Sequence, residues 1–104
     1  MFQRISAADA HTMMDSEEVQ IADIRDVVSY DQGHICGATR VDNQNLAQFI
    51  AACDVSKPLL VCCYHGNSSQ GAAQYFAEQG FTQAYSLDGG YEMWKVLYPQ
   101  QCQA

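Results

Sequence analysis

Two adjacent cysteines, Cys62 and Cys63, lie where an apolar run ends and a short polar segment begins. The run starts at Leu59, and the segment 64–69 reads YHGNSS, with no acidic or basic residue apart from one histidine. Successive side chains of a strand point to opposite faces, so the two thiols should have different surroundings. A cysteine acts as a nucleophile when its environment favours the thiolate. We therefore expect one inert and one reactive cysteine.

The segment CYHGNS, residues 63–68, has the composition of a strand-to-helix loop that binds an anion through its backbone. Gly66 allows the unusual dihedral angles of a tight curl, Asn67 tolerates the left-handed region, and Ser68 and Ser69 are small enough to cap a helix. Converging N–H groups at a helix N-terminus lower a thiol pKa to roughly 3.5–7.5. Cys63 is therefore the predicted nucleophile and Cys62 the buried, inert neighbour. The composition of the loop alone leaves a purely structural cysteine as the alternative.

Helical patterns alternate with short apolar runs along the chain. Runs of β-branched and apolar residues predict strands, and apolar residues at helical spacing, with Ser, Asp or Asn before them, predict helices. This alternation is typical of an α/β domain with a mostly parallel sheet and helices on both faces. Predicted helices are 6–14, 26–33, 43–53 (capped by Asn43), 68–80 (with Gly80 as C-cap) and 91–98, and predicted strands are 19–24, 57–64 and 83–87.

The length and composition narrow the possible functions. A chain of 104 residues, 48% hydrophobic and 16% charged, is expected to form one compact domain over 1–104. Its net charge of −7 argues against nucleic-acid binding, which needs clustered Lys and Arg. No apolar run approaches the roughly 20 residues that span a bilayer. The first residues lack the features of a signal peptide, so we expect a cytoplasmic protein. Five cysteines without a C-x-x-C pair predict neither structural disulfides nor a zinc site, and no metal or cofactor is expected.

Four ordered segments closely resemble the rhodanese family of sulfurtransferases: ADIRD at 22–26, GHICGA at 33–38, CYHGNSS at 63–69 and SLDGGYEMW at 86–94. The similarity is greatest to the bacterial single-domain members that act on thiosulfate. It implies a rhodanese-like α/β domain with a central parallel five-stranded sheet. It also implies transfer of the sulfane sulfur of thiosulfate, through a cysteine persulfide, to cyanide or to a thiol acceptor such as thioredoxin.

The resemblance assigns roles to individual positions. Cys63 corresponds to the persulfide-forming nucleophile, and Asp23 and Arg25 correspond to a supporting ion pair. The substrate-binding cradle corresponds to Tyr64, His65, Gly66, Asn67, Ser68 and Ser69. This chain departs from the family in having Cys36 where a proline is usual and Gln70 where some relatives carry a basic residue. The second departure and the acidic net charge together predict a high KM for thiosulfate.

Three other interpretations compete with this one. Cysteine phosphatases and arsenate reductases use C-x5-R, but Ser69 stands where that arginine would be. An inactive regulatory module of the same fold would lack the nucleophile, which this chain keeps. A persulfide carrier that delivers sulfur to a protein partner, with thiosulfate not the physiological donor, remains the alternative function. His65 could act as a base, although a loop histidine that contributes its backbone is the simpler interpretation.

Overall fold

The computed structural model describes residues 1–104 and contains seven strands and five α-helices. The strands are β1 (Gln3–Ile5), β2 (Gln20–Asp23), β3 (His34–Ile35), β4 (Thr39–Arg40), β5 (Leu59–Cys62), β6 (Ala84–Leu87) and β7 (Cys102–Gln103). The helices are α1 (Ala7–Ser16), α2 (Val27–Gln32), α3 (Leu46–Ala52), α4 (Ser68–Glu78) and α5 (Gly90–Leu97). A single 3-10 turn, Pro99–Gln101, precedes the last strand.

Five strands form one parallel sheet in the order β1-β6-β5-β2-β4. This confirms the predicted α/β class and the five-stranded parallel sheet. The central strand is β5, all four residues of which are buried, because a strand covered by helices on both faces has no solvent side. The two remaining strands, β3 and β7, pair antiparallel in a separate small sheet.

Helices cover both faces of the sheet, as predicted. On one face α1 and α5 pack against Leu60, Cys62 and Leu87, and Trp94 is fully buried there. On the other face α3 and α4 pack against Leu59 and Val61. The alternation of β5 side chains between the two clusters is the expected consequence of strand geometry.

Local capping explains where several helices begin and end. The Ser6 hydroxyl accepts a hydrogen bond from the Asp9 N–H and caps α1, and the Asp26 carboxylate accepts one from the Ser29 N–H and caps α2. Both helices begin as predicted. Helix α2 also ends at Gly33, as the sequence indicated.

The predicted start of α3 was wrong. Asn43 does not cap this helix, which begins three residues later, at Leu46. Asp42 accepts hydrogen bonds from the N–H groups of Gln44 and Asn45, and the Asn45 side chain accepts one from the Asp42 N–H. These side-chain bonds hold the segment before Leu46 in a turn, which competes with helix.

Two smaller predictions also differ from the structure. Asn67 has φ of −92° and ψ of −60°, so it does not use the left-handed region, which in this loop is occupied by Gly66 alone. The C-cap of α4 is Gln79, and Gly80 follows it with φ of 106°. A glycine one position beyond the cap is a common way to end a helix. None of the helices has the length and apolar character needed to cross a bilayer.

Candidate active site

Cys63 lies immediately after β5, at the carboxyl edge of the parallel sheet, where ligands bind in open α/β folds. Its side chain is nearly enclosed, with 3% of the residue exposed. Cys62, the last residue of the strand, is fully buried in the cluster that contains Trp94 and Leu60. The predicted burial of Cys62 is thus confirmed, and the two thiols occupy different environments.

Three hydrogen bonds converge on the Cys63 sulfur. The Gly66 N–H lies 3.2 Å from Sγ, the Ser69 N–H lies 3.3 Å from it, and the Ser69 Oγ lies 3.2 Å from it. The two N–H groups donate to Sγ, and in the third contact the protonated thiol donates to the Ser69 hydroxyl; all three partners belong to the loop or to the first turn of α4. The sequence places them close to Sγ because β5 and α4 are joined by only five residues, 63–67, which must curl back.

These hydrogen bonds lower the pKa of the Cys63 thiol, whereas burial raises it. Burial acts to raise the pKa of Cys63, but hydrogen bonds from the Ser69 hydroxyl, the Ser69 N–H and the Gly66 N–H outweigh it, and the pKa is lowered. The His65 N–H adds a smaller effect in the same direction. At Cys62, burial without comparable donors raises the pKa well above that of an ordinary thiol. Cys63 is therefore the thiol that ionises more readily.

Two glycines allow the loop to pack closely on the turn before α5. Gly66 has φ of 92°, and a Cβ there would lie 2.9 Å from the Leu87 carbonyl oxygen. Gly90 has φ of 59°, and a Cβ there would lie 2.4 Å from the Tyr64 carbonyl oxygen. Side chains at these positions would both strain the backbone and separate the two segments.

The N-terminal turn of α5 anchors the same loop through its backbone. The Tyr91 N–H donates to the Cys63 carbonyl at 2.9 Å, and the Glu92 N–H donates to the Tyr64 carbonyl at 3.1 Å. With both carbonyls turned towards α5, the N–H groups that follow are free to face the sulfur. The late DGG turn of the sequence therefore positions the loop that carries Cys63.

Two side chains hold the loop from other directions. The Tyr64 hydroxyl donates to the Asp26 carboxylate and accepts from the Asp26 N–H at 3.2 Å, which joins the loop after β5 to the start of α2. These hydrogen bonds keep the pKa of Asp26 well below its usual range. Gln70 donates from Nε2 to the Gly66 carbonyl at 3.0 Å. Gln70 therefore bonds to the loop backbone rather than extending towards solvent.

Asp23 and Arg25 form a buried ion pair beside the loop. Arg25 Nη2 lies 2.7 Å from Asp23 Oδ2, Arg25 Nε lies 3.0 Å from Oδ1, and Nη2 also donates to the Gly33 carbonyl at 2.8 Å. The guanidinium carbon lies 4.2 Å from the centre of the Tyr91 ring. The pair thus connects the end of β2 to α5 and to the end of α2.

Not every predicted site residue contacts the sulfur. Gly66 and Ser69 donate to it, whereas the side chains of His65, Asn67 and Ser68 are exposed and form no hydrogen bond within the protein. An imidazole that forms no hydrogen bond to Cys63 gives no support to a role for His65 as base. Sequence reasoning missed Ser86, whose hydroxyl lies 2.7 Å from that of Ser69. A single serine in a short strand carries no sequence signal of that contact.

Two cavities flank this region without including the sulfur. The larger, about 530 Å³, lies between α3 and α4 and is mostly apolar, with Ile24, Leu46 and Tyr75 in its wall. A polar cavity of about 150 Å³ is lined by Arg25, Tyr91 and Lys95, among others. No group of three or more His, Cys, Asp or Glu side chains is arranged to hold a metal ion.

Comparison with known proteins gives a consistent result. Residues 6–97 match the model of the rhodanese-like domain. The chain is 52% identical over 98 residues to the thiosulfate sulfurtransferase GlpE of Pseudomonas paraeruginosa, covering 94% of this chain and 88% of that protein. It is 46% identical over 100 residues to the GlpE of Pseudoalteromonas translucida, covering 96% and 95%.

Solved structures show the same fold at low sequence identity. A rhodanese-related protein from Thermoplasma volcanium superposes with a TM-score of 0.77 at 22% identity, covering 93% of this chain and 94% of that one. A rhodanese-like domain protein from Staphylococcus aureus gives a TM-score of 0.76 at 21% identity, covering 90% and 91%. The match of residues 6–97 to the rhodanese-like domain and the relatives of about 50% identity place the chain in the rhodanese family.

Proposed function

We propose that this protein is a thiosulfate sulfurtransferase in which Cys63 carries the sulfur. The curated relatives that are about half identical over nearly the whole chain bear that name. The observation that carries the proposal is the convergence of three hydrogen bonds, two of them from backbone N–H groups, on one sulfur in a loop without acidic or basic side chains, histidine apart. Such a site stabilises negative charge on sulfur without a cationic side chain.

In the first half-reaction the Cys63 thiolate attacks the outer, sulfane sulfur of thiosulfate. A new S–S bond forms, the S–S bond of thiosulfate breaks, and sulfite leaves with the electron pair. The residue becomes a persulfide that carries one negative charge, as the thiolate did, so no proton is needed. The N–H groups of Tyr64 to Ser68 can bind the oxyanion of the donor and the terminal sulfur of the persulfide in turn.

In the second half-reaction a nucleophile takes the outer sulfur and regenerates the thiolate. Cyanide yields thiocyanate. A dithiol protein such as thioredoxin would first form its own persulfide, and its second thiolate would then release hydrosulfide and close a disulfide. The remaining candidate is a persulfide carrier that serves a protein partner and receives its sulfur from a donor other than thiosulfate.

The first test compares the wild type with Cys63→Ser in a thiosulfate:cyanide assay. We expect the variant to lose activity completely, because serine cannot form the persulfide, whereas Cys62→Ala should keep most of it. Mass spectrometry after thiosulfate treatment should locate one added sulfur atom on Cys63. Thiocyanate formation by Cys63→Ser, or the added sulfur on Cys36 or Cys62, would contradict the proposal.

The acceptor is tested separately. A reduced dithiol protein and cyanide are compared as acceptors for the isolated persulfide form, prepared once with thiosulfate and once with a protein persulfide donor. Faster loading by the protein donor than by thiosulfate would favour the carrier function over the proposed one. Hydrolysis of an aryl phosphate would instead indicate phosphatase chemistry.

A further inference from the structure

The two buried serines near Cys63 form a chain of hydroxyl groups that ends at its sulfur. Ser86, in the middle of β6, and Ser69, in the first turn of α4, are both fully buried. Their Oγ atoms lie 2.7 Å apart, and Ser69 Oγ lies 3.2 Å from the Cys63 Sγ. The chain therefore runs from the centre of the sheet to the nucleophile.

The number of available acceptors fixes the direction of this chain. The hydroxyl of Ser86 has one hydrogen-bond partner in the protein, the hydroxyl of Ser69. The hydroxyl of Ser69 has two partners, Ser86 Oγ and Cys63 Sγ. Each hydroxyl has one proton, and a buried proton without an acceptor is costly. Within this chain of contacts, both hydroxyl protons have an acceptor when Ser86 donates to Ser69 and Ser69 donates to the sulfur.

The reverse direction corresponds to a protonated Cys63. A thiol that donated to Ser69 would turn the Ser69 proton towards Ser86, and the Ser86 proton would then have no acceptor in the core. The sulfur also accepts the N–H groups of Gly66 and Ser69, and both hydrogen bonds are stronger when the sulfur carries a negative charge. The polarity of the chain thus matches the thiolate form.

We propose that Ser86 is a positioning residue for the Cys63 nucleophile: by donating to Ser69, it directs the Ser69 proton at the sulfur and favours the thiolate. This inference rests on the proposed role of Cys63. Ser86 does not touch the sulfur and acts through Ser69. A donor that itself accepts a hydrogen bond is polarised and becomes stronger. Without Ser86, the Ser69 hydroxyl is free to turn to the backbone carbonyl one turn earlier, as helical serines do.

The test is a double-mutant cycle read out by the pH dependence of Cys63 alkylation with iodoacetamide, located by peptide mass spectrometry. Ser69→Ala removes a donor to the thiolate, and we expect it to raise the alkylation midpoint by about one pH unit. Ser86→Ala should raise it by about half a unit, which is a loss of roughly threefold in thiolate below the midpoint. In the Ser69→Ala background, Ser86→Ala should produce no further shift.

Ser86→Thr keeps the hydroxyl and should restore the wild-type midpoint, and thermal unfolding of each variant reports on folding. If Ser86→Ala does not fold, Ser86→Cys keeps the side-chain size with a weaker donor and should shift the midpoint in the same direction. An unchanged midpoint in Ser86→Ala, or an equal shift in the Ser69→Ala background, would overturn the inference. Alkylation needs no thiosulfate, so this result is independent of whether the protein transfers sulfur.

Discussion

At the residue scale, the proposed chemistry depends on the difference between two adjacent thiols. Cys62 points into the apolar cluster beneath the sheet and has no donor that would stabilise a negative charge. Cys63 is almost as enclosed, yet two backbone N–H groups and the Ser69 hydroxyl face its sulfur. Burial by itself therefore does not determine reactivity, because hydrogen bonds offset the desolvation of Cys63 and no comparable donors offset that of Cys62.

The two cysteines should have opposite effects on the pH dependence of stability. The folded-state pKa of Cys63 is lowered, so its contribution to stability is fully present above the unfolded pKa of about 8.5 and is lost as pH falls through the lowered value. The folded-state pKa of Cys62 is raised, so its contribution is fully present below about 8.5 and is lost as pH rises. Each effect has a limiting slope of about 1.4 kcal/mol per pH unit.

Urea unfolding of Cys62→Ala, Cys63→Ala and the wild type, under reducing conditions, measures this difference. From neutral pH up to about 8.5, the stability advantage of the wild type over Cys63→Ala should increase. Above about 8.5, the wild type should lose stability that Cys62→Ala retains. Unfolding free energies that change in parallel with pH for all three proteins would contradict the assignment of the two environments.

At the scale of elements, the loop is held by close backbone contact with the start of α5. We expect Gly90→Ala to reduce sulfurtransferase activity by more than about tenfold, because a Cβ at this left-handed position collides with the carbonyls of Tyr64 and Cys63. Steady-state kinetics and the midpoint of Cys63 alkylation would measure the effect.

Gly71→Ala is the matched control for Gly90→Ala. Gly71 is an exposed helical residue of α4, and a Cβ there would meet no atom within 4 Å. This variant should keep full activity and gain about 0.5–1 kcal/mol in stability, since alanine favours helix. Full activity in Gly90→Ala would show that the loop does not depend on this contact.

The helices and strands differ in how far they could be predicted from the sequence. The long or strongly apolar elements, α1, α4, α5 and β5, follow from periodicity and capping residues and were found where expected. Strands β1 and β4 have three and two residues, too few to produce a periodic pattern, and only the family resemblance implied a five-stranded sheet. Ser86 lies 17 positions from Ser69, and only the packing of α4 against β6 brings them together.

At the scale of the whole molecule, no basic side chain is left free to attract an anion. Each of the five Lys and Arg residues pairs with one acidic residue, and the other seven acidic residues have no Lys or Arg partner. The positive potential at the site therefore comes from backbone N–H groups, which act over short distances. A thiosulfate dianion approaches them against the field of the molecule.

Activity towards thiosulfate should consequently rise with ionic strength at low salt. Between about 0.01 M and 0.15 M the screening length falls from about 30 Å to 8 Å, and we expect kcat/KM to increase about two- to fivefold. The double variant Glu17→Lys/Glu78→Lys reduces the negative charge at exposed positions. Its kcat/KM at low salt should be higher than that of the wild type, and it should increase less as salt is added. Measurements with two salts of different anions distinguish charge screening from competition between the salt anion and thiosulfate. A decrease of kcat/KM with both salts would contradict this expectation.

The enclosure of Cys63 also sets how far a partner must reach. With 3% of the residue exposed, a donor has to bring its sulfur into the loop, which suits a small ion better than a folded protein. A persulfide adds one S–S bond, about 2.05 Å, to the side chain. The transferable sulfur then stands one bond length beyond the enclosed Cys63 sulfur. We therefore expect the loaded form to react with larger acceptors than the donors that the thiol form admits.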